Sequence, residues 1–297
     1  MAGAVETYGG AGGGAARLGR LLADVTATPS GLVGVVLIAL HLAVALLSPW
    51  LVPHPFAAQY PDHVLQAPSE TFWFGTDSLG RDVFSRTLLG GRQALVITTI
   101  ATLLAIAWGG LLGILAGLIG GKADEMLMRG IDALLAIPWL LFVLMIVSVM
   151  GTGGAVLIPT LAFFYGLPVV RVARAATLDV VARDFIAAAR ARGERTGTIV
   201  LRELLPNVRD VLLVEGAMEW SWMLLGFSSL SFLGFGISPP NADWGLMVAD
   251  ARLYLQLAPW TVLPPMIALA SLIIGINLAA DALGKALGVD RSQRTPV

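Results

Sequence analysis

The 297-residue chain contains no cysteine. That absence excludes disulfides, zinc–thiolate sites, iron–sulfur ligation and a cysteine nucleophile. Histidine is scarce: His41, His54 and His63 lack any metal-ligand spacing such as HxxxH, and no metal site is expected. Charge is scarce too, at 13% of residues, against roughly 25% in ordinary globular domains. A soluble chain of this length needs more charge than that on its surface. What abounds is apolar: 57% of residues are hydrophobic and the mean hydropathy is +0.80. The chain reads as an integral membrane protein.

A membrane-crossing helix takes about 20 mostly apolar residues. Six runs approach that length, at about 31–52, 94–119, 131–150, 155–170 (extendable through Val172), 211–235 and 260–283. None alternates with period two, which excludes a β-barrel. Backbone groups in lipid must then be satisfied within each segment, so all six are expected to be helices. Residues 2–16 are Gly/Ala-rich and expected to be disordered. Arg17 and Arg20 before the first run resemble a signal-peptide start. The run is too long for that, however, and ends in Pro-His-Pro rather than a cleavage site, so it reads as a retained helix. Small residues crowd the second run (Ala101, Ala105, Gly109, Gly110, Gly113, Gly117, Gly120), and tight helix packing is the favoured explanation over gating. No internal repeat or inverted pair of broken helices is visible.

Basic residues set the orientation. Two lie in residues 1–30, two in 121–130, eight in 171–209 and three after residue 284; only four lie on the opposite side of a six-helix arrangement. The positive-inside rule then places both termini and the 171–209 loop in the cytoplasm. The expected organisation is a cytoplasmic tail (1–30), a first helix (31–52), an external loop (53–92), a five-helix core (93–284) and a cytoplasmic tail (285–297). A cytoplasmic loop, 175–209, lies within the core.

Three segments interrupt the apolar runs. The basic one reads VARDFIAAARARGERTGTIVLRELLPN from Val181 and describes two short amphipathic helices broken at Gly193. The outer one is GTDSLGRDVFSRTLLGGRQAL from Gly75. There Asp77 and Ser78 suit a helix start, Gly80 a turn, and Asp82 ion pairs with Arg81, Arg86 and Arg92. The third, LSFLGFGISPPNADWG from Leu230, reads as a helix terminus with Trp244 and Trp260 at the membrane interface. Within the spans, Glu215 and Glu219 share one helix face, as do Asn277 and Asp281. Intramembrane ionisable residues usually face a bundle interior or cavity. The Glu pair therefore suits a substrate path or partner contact, or alternatively a position near the cytoplasmic headgroups. Asp132 falls near the cytoplasmic surface. The closest string to a phosphate-binding loop, AGLIGGKA from Ala116, lacks the first Gly and the final Ser/Thr. No catalytic Ser/His/Asp, HExxH or paired-carboxylate pattern is present, so no enzymatic activity is expected.

Taken in order, these motifs resemble the C-type permease subunit of the dipeptide/oligopeptide/nickel branch of ABC importers, over nearly all of residues 28–291. The resemblance rests on Gly75, Thr76, Asp77, Leu79, Gly80, Arg81, Asp82, Ser85 and Arg86 in the outer motif. It rests equally on Ala188, Ala189, Arg190, Gly193, Leu205, Pro206 and Asn207 in the loop that family docks onto an ATPase. Leu230–Gly236, Trp244–Met247, Ala258–Trp260, and then Asn277, Leu278, Asp281 and Leu283, complete it. It implies a type I ABC importer permease (MetI-like) fold with six transmembrane helices, in the bacterial cytoplasmic membrane. It also implies a B-type permease partner, two ATP-binding subunits and an external solute-binding protein. ATP and Mg would be bound by the ATPase subunits, with no cofactor on this chain and no nucleic-acid partner. Three positions depart from the family pattern: Ala187 for the usual Glu, Glu203 for the usual His, and Phe227 for an acidic residue. Glu194 or Glu203 is then the substitute acid of the loop. An ion-coupled secondary transporter is the alternative; it explains the Glu pair but not the basic loop.

Overall fold

The computed structural model describes residues 14–289. The expectation for the Gly/Ala-rich start lies outside them up to residue 13, as does the tail beyond 289. From Gly14 the chain is already helical: α1 (Gly14–Thr26) is a short amphipathic helix packed on the first and last long helices. Thr28 then caps α2 (Pro29–Leu51) by accepting the Gly31 N–H. The rest is α3 (Val83–Ile119), α4 (Gly121–Leu135), α5 (Trp139–Met150), α6 (Gly154–Val181), α7 (Asp184–Ala191), a single turn α8 (Thr196–Thr198), α9 (Leu205–Phe232), α10 (Trp244–Ala251) and α11 (Leu263–Ala286). Among the described residues there is no strand beyond an isolated bridge between Thr76 and Asp82.

Four helices are long and apolar enough to cross a bilayer: α2, α3, α6 and α11. A fifth crossing exists if α4 and α5 form one broken span. The run 131–150 is thus not one straight helix, because the chain bends by 80° between α4 and α5. The cause is Pro138, which lacks an N–H and forces Ile137 out of helical geometry. Hydropathy is blind to that backbone break. With 12 residues, α5 is about 18 Å long, short of the roughly 30 Å hydrocarbon layer. The run expected at 155–170 belongs to a longer helix, since α6 continues to Val181 past the point where Arg171 ends its apolar stretch. The 28-residue α9 is equally long, yet Glu215, Glu219 and four serines keep it below the apolarity of the others.

Small residues close the main seam. On α3, Gly109, Gly113 and Gly117 follow one face onto α6; a Cβ at Gly109 would stand 2.5 Å from the Gly166 carbonyl oxygen, and one at Gly113 would strike that of Val170. Packing is therefore the role of these three, while Gly110 faces Leu212 of α9 and Gly120 ends the helix at positive φ. Across the seam the Trp108 indole donates to the Ala162 carbonyl at 2.9 Å. A second seam joins α2 to α11 at Gly34 and Gly275.

Two apolar cores result. One gathers Leu95, Ala101, Val143, Leu161, Met223, Phe227 and Leu272 from most of the long helices. The other, at the opposite end, gathers Ile114, Ala173, Ile186, Ala189, Ile199, Val200, Leu204 and Val208. This second core roots the basic loop in the bundle.

Candidate functional site

The basic loop is built on one buried pair and one break. Ile186 and Ala189 lie three apart on α7 and both sink into the second core. Gly193 then turns the chain at φ +73°, a conformation L side chains resist. Two separate amphipathic helices were expected around it. The second is not separate: from Thr196 the chain runs through α8 and a π-helical turn, Ile199–Leu204, straight into α9. Pro206 does not interrupt it because it sits in the first turn of α9, where its missing N–H leaves no bond unmade.

The loop's outer surface is apolar as well as basic. Phe185, Leu205 and above all Leu201, 64% exposed, face outward between Arg183, Ala188, Arg190 and Arg202. The motif residues are thus divided, Ala189 being internal while Ala188, Arg190 and Gly193 are surface. Phe185 and Leu201 were not singled out by motif. Their signal in the sequence is that both are apolar while out of phase with the buried residues beside them. Arg190 donates to the Leu118 carbonyl at 3.2 Å, tying α7 to the end of α3. Of the two candidate substitute acids, Glu194 is held by Arg192 at 2.6 Å, and the Glu203 carbonyl receives the Asn207 amide at 2.6 Å.

At the other end the outer motif folds into a cap, and two expected roles are exchanged. Asp82, not Asp77, begins the helix: its carboxylate accepts the Ser85 N–H at 3.0 Å and the Ser85 hydroxyl at 2.5 Å. Asp77 is the ion-pair centre. It accepts the Leu79 and Arg81 N–H groups at 2.9 Å each and pairs with the Arg81 guanidinium at 2.6 Å. The reason is where the chain turns: Gly75 and Gly80 both adopt positive φ, so the helix starts only after the turn closes. Thr76 is fully buried and donates to the His63 carbonyl while accepting from the Gln66 N–H. Arg86, 1% exposed, donates to the carbonyls of Phe56 and Pro240 and so ties the segment before α3 to the one that follows α9. Arg92 is exposed and stands apart.

Trp244 is not an interface anchor. Its ring fills the space over Gly90 and Gly91, and its indole donates to the Thr87 carbonyl at 2.8 Å. Trp260 likewise turns inward against Gly75. Asp243 caps α10 by accepting the Leu246 N–H, and burial pushes its pKa up to about 6 from the ordinary 3.8. A folded state that holds this proton more tightly than the unfolded chain is favoured at low pH. The gain is present below the ordinary carboxyl range and is lost as pH rises through about 6. Thermal unfolding followed from pH 4 to 7 is therefore expected to show a stability decline that Asp243→Asn flattens.

The polar residues of the spans do not converge. Glu219 is 8% exposed inside the bundle and its Oε2 has no partner among the described residues; Glu215, one turn earlier, is half-buried. Asn277 donates to Ser221 at 2.6 Å, fastening α11 to α9, and Asp281 pairs with Lys285 at 2.7 Å on the surface.

The geometry is thus a helical bundle with a braced cap at one end and, at the other, a rooted loop with an exposed face. Comparison with known proteins gives the family of the chain. Residues 109–291 match the family described as binding-protein-dependent transport system inner membrane component. A dipeptide transport system permease protein of Alkalihalophilus pseudofirmus is 33% identical, over 86% of this chain and 84% of the relative. A glutathione transport system permease protein of Pectobacterium atrosepticum is 34% identical over 90% and 88%, and a nickel transport system permease protein of Escherichia coli 34% over 84% and 90%.

Proposed function

Because the chain belongs to the binding-protein-dependent transport system inner membrane components, we propose how this multi-pass permease subunit is arranged and driven. Six crossings are assigned: α2, α3, the broken α4–α5 pair, α6, α9 and α11. The long α9 is included because its carboxylates face the bundle or its edge, where they are tolerated. Both termini and the 175–209 loop lie in the cytoplasm and the 53–92 loop lies outside, as the basic residues suggest.

The observation that carries the mechanism is the loop rooted through Ile186 and Ala189 with Phe185, Ala188 and Leu201 left facing out. Such a surface suits a helix-in-groove contact with an ATP-binding subunit. Two such subunits, holding ATP and Mg, would pull on this loop and on that of a B-type permease partner. The bundle then rocks between inward-open and outward-open states, a two-state element biased by nucleotide. An external solute-binding protein delivers the solute to the braced outer cap. Di- or oligopeptides are the proposed solute class, in line with what the relatives' names state of those proteins. Glu215, with its partial access, is the better pathway residue of the pair; Glu219 acts within the bundle.

The absence of cysteine makes topology directly testable. Single cysteines at Ser69 and Thr198, probed with an impermeant thiol reagent in intact cells, are expected to label at 69 and not at 198. The reverse pattern inverts the arrangement.

A further inference from the structure

A cavity of about 670 Å³ opens between α4 and the last turns of α6, up to Ala175. Met128, Leu135 and Pro168 form its apolar wall, and its charged residues are Asp132, Arg171 and Arg174. Arg174 is committed through Nε and Nη2 to the two oxygens of Asp124, each at 2.5 Å. Arg171 is not. Its ion pair is with Asp132 at 3.7 Å, beyond hydrogen-bond reach, and the two side chains are 58% and 61% exposed. A guanidinium and a carboxylate thus stand side by side above an apolar wall, each with bonding capacity unfilled.

Their depth matters. From Gly154 a roughly 30 Å hydrocarbon layer takes about 20 residues of α6, ending near Ala173. Arg171 and Arg174 therefore reach the polar edge of that layer, where arginine meets lipid headgroups.

We propose that this cavity binds the headgroup of a zwitterionic aminophospholipid, phosphatidylethanolamine. Its phosphate lies on Arg171 and the uncommitted Nη1 of Arg174, for which a guanidinium fork is well matched. Its primary ammonium donates to Asp132, and the glycerol end follows Met128, Leu135 and Pro168. The mixed charge selects this class. Phosphatidylglycerol offers Asp132 only neutral hydroxyls, without the countercharge of an ammonium, and a choline headgroup has no N–H to give it.

The test uses the purified, delipidated importer complex, with retained lipid counted by native mass spectrometry. Phosphatidylethanolamine, phosphatidylcholine and phosphatidylglycerol are supplied at equal amounts. Wild type is expected to retain phosphatidylethanolamine roughly ten-fold over phosphatidylcholine, the scale of one charge-assisted hydrogen bond. Asp132→Asn should erase that preference, and Arg171→Gln should lower retention of all three lipids. Equal retention of phosphatidylethanolamine and phosphatidylcholine by wild type would overturn the assignment, as would a preference unchanged by Asp132→Asn. If Arg171→Gln sheds the partner permease while lipid per surviving complex stays constant, the cavity is a protein interface and the proposal fails.

Discussion

Replacing Phe185 with Asp is expected to leave the permease folded in the membrane and to lower ATP-driven uptake at least ten-fold. The same holds for Leu201→Asp. Both side chains are exposed, so neither change disturbs the core beneath. Each instead places a carboxylate on the surface proposed to enter an ATPase groove. Burying an unpaired carboxylate there costs several kcal/mol, more than a docking helix of this size recovers. ATP hydrolysis by the complex should lose its dependence on loaded binding protein while the permease stays recoverable from the membrane. Ile186→Asp provides the contrast: it buries a charge inside the second core and should reduce the yield of the permease itself. Normal uptake by both surface variants would remove this face from the coupling mechanism.

Gly113→Val is expected to be nearly as severe for a different reason. A Cβ at Gly113 meets the Val170 carbonyl and the Ala173 methyl, and the α6 backbone has no flexible end with which to yield. Overpacking ordinarily costs about 1–3 kcal/mol, and a clash between two backbones belongs at or above the top of that range. The seam between α3 and α6 should open, with loss of most intact protein after solubilisation. Gly130→Ala is the matched control, because nothing lies within 4 Å of its added methyl. Helix α4 should tolerate it or gain slightly, since alanine is the better helix former. Equal recovery of the Gly113 variant and this control would show that the seam is looser than its geometry.

The contrast between these two glycines shows what the sequence makes legible. Apolar runs and crowded small residues revealed the long helices and their close approach, because lipid and packing impose composition directly. The bend at Pro138 stayed hidden, since one proline hardly alters an apolar average while removing a backbone donor. Asp77 and Asp82 changed places because capping depends on where the turn ends, and two left-handed glycines decide that. Trp244 looked like a membrane anchor until Gly90 and Gly91 supplied the hollow its ring fills. The loop was legible as a motif, but its working side was not. Only the burial of Ile186 and Ala189 distinguishes the face that holds the loop from the face that it offers.

The π-helical turn at Ile199–Leu204 has a mechanical consequence. Because α8, that turn and α9 follow one another without a gap, residues 196–232 form a single rod about 55 Å long at roughly 1.5 Å per residue. A rod moves differently from a string. Tilting it by about 10° about one end displaces the other by about 10 Å, more than the spacing between packed helices allows without rearrangement. The one departure from regular α geometry along it is the wide turn itself, where hydrogen bonds reach one residue further than elsewhere. In the coupling proposed above, any displacement that the basic end receives would have to pass through that turn to reach Phe232.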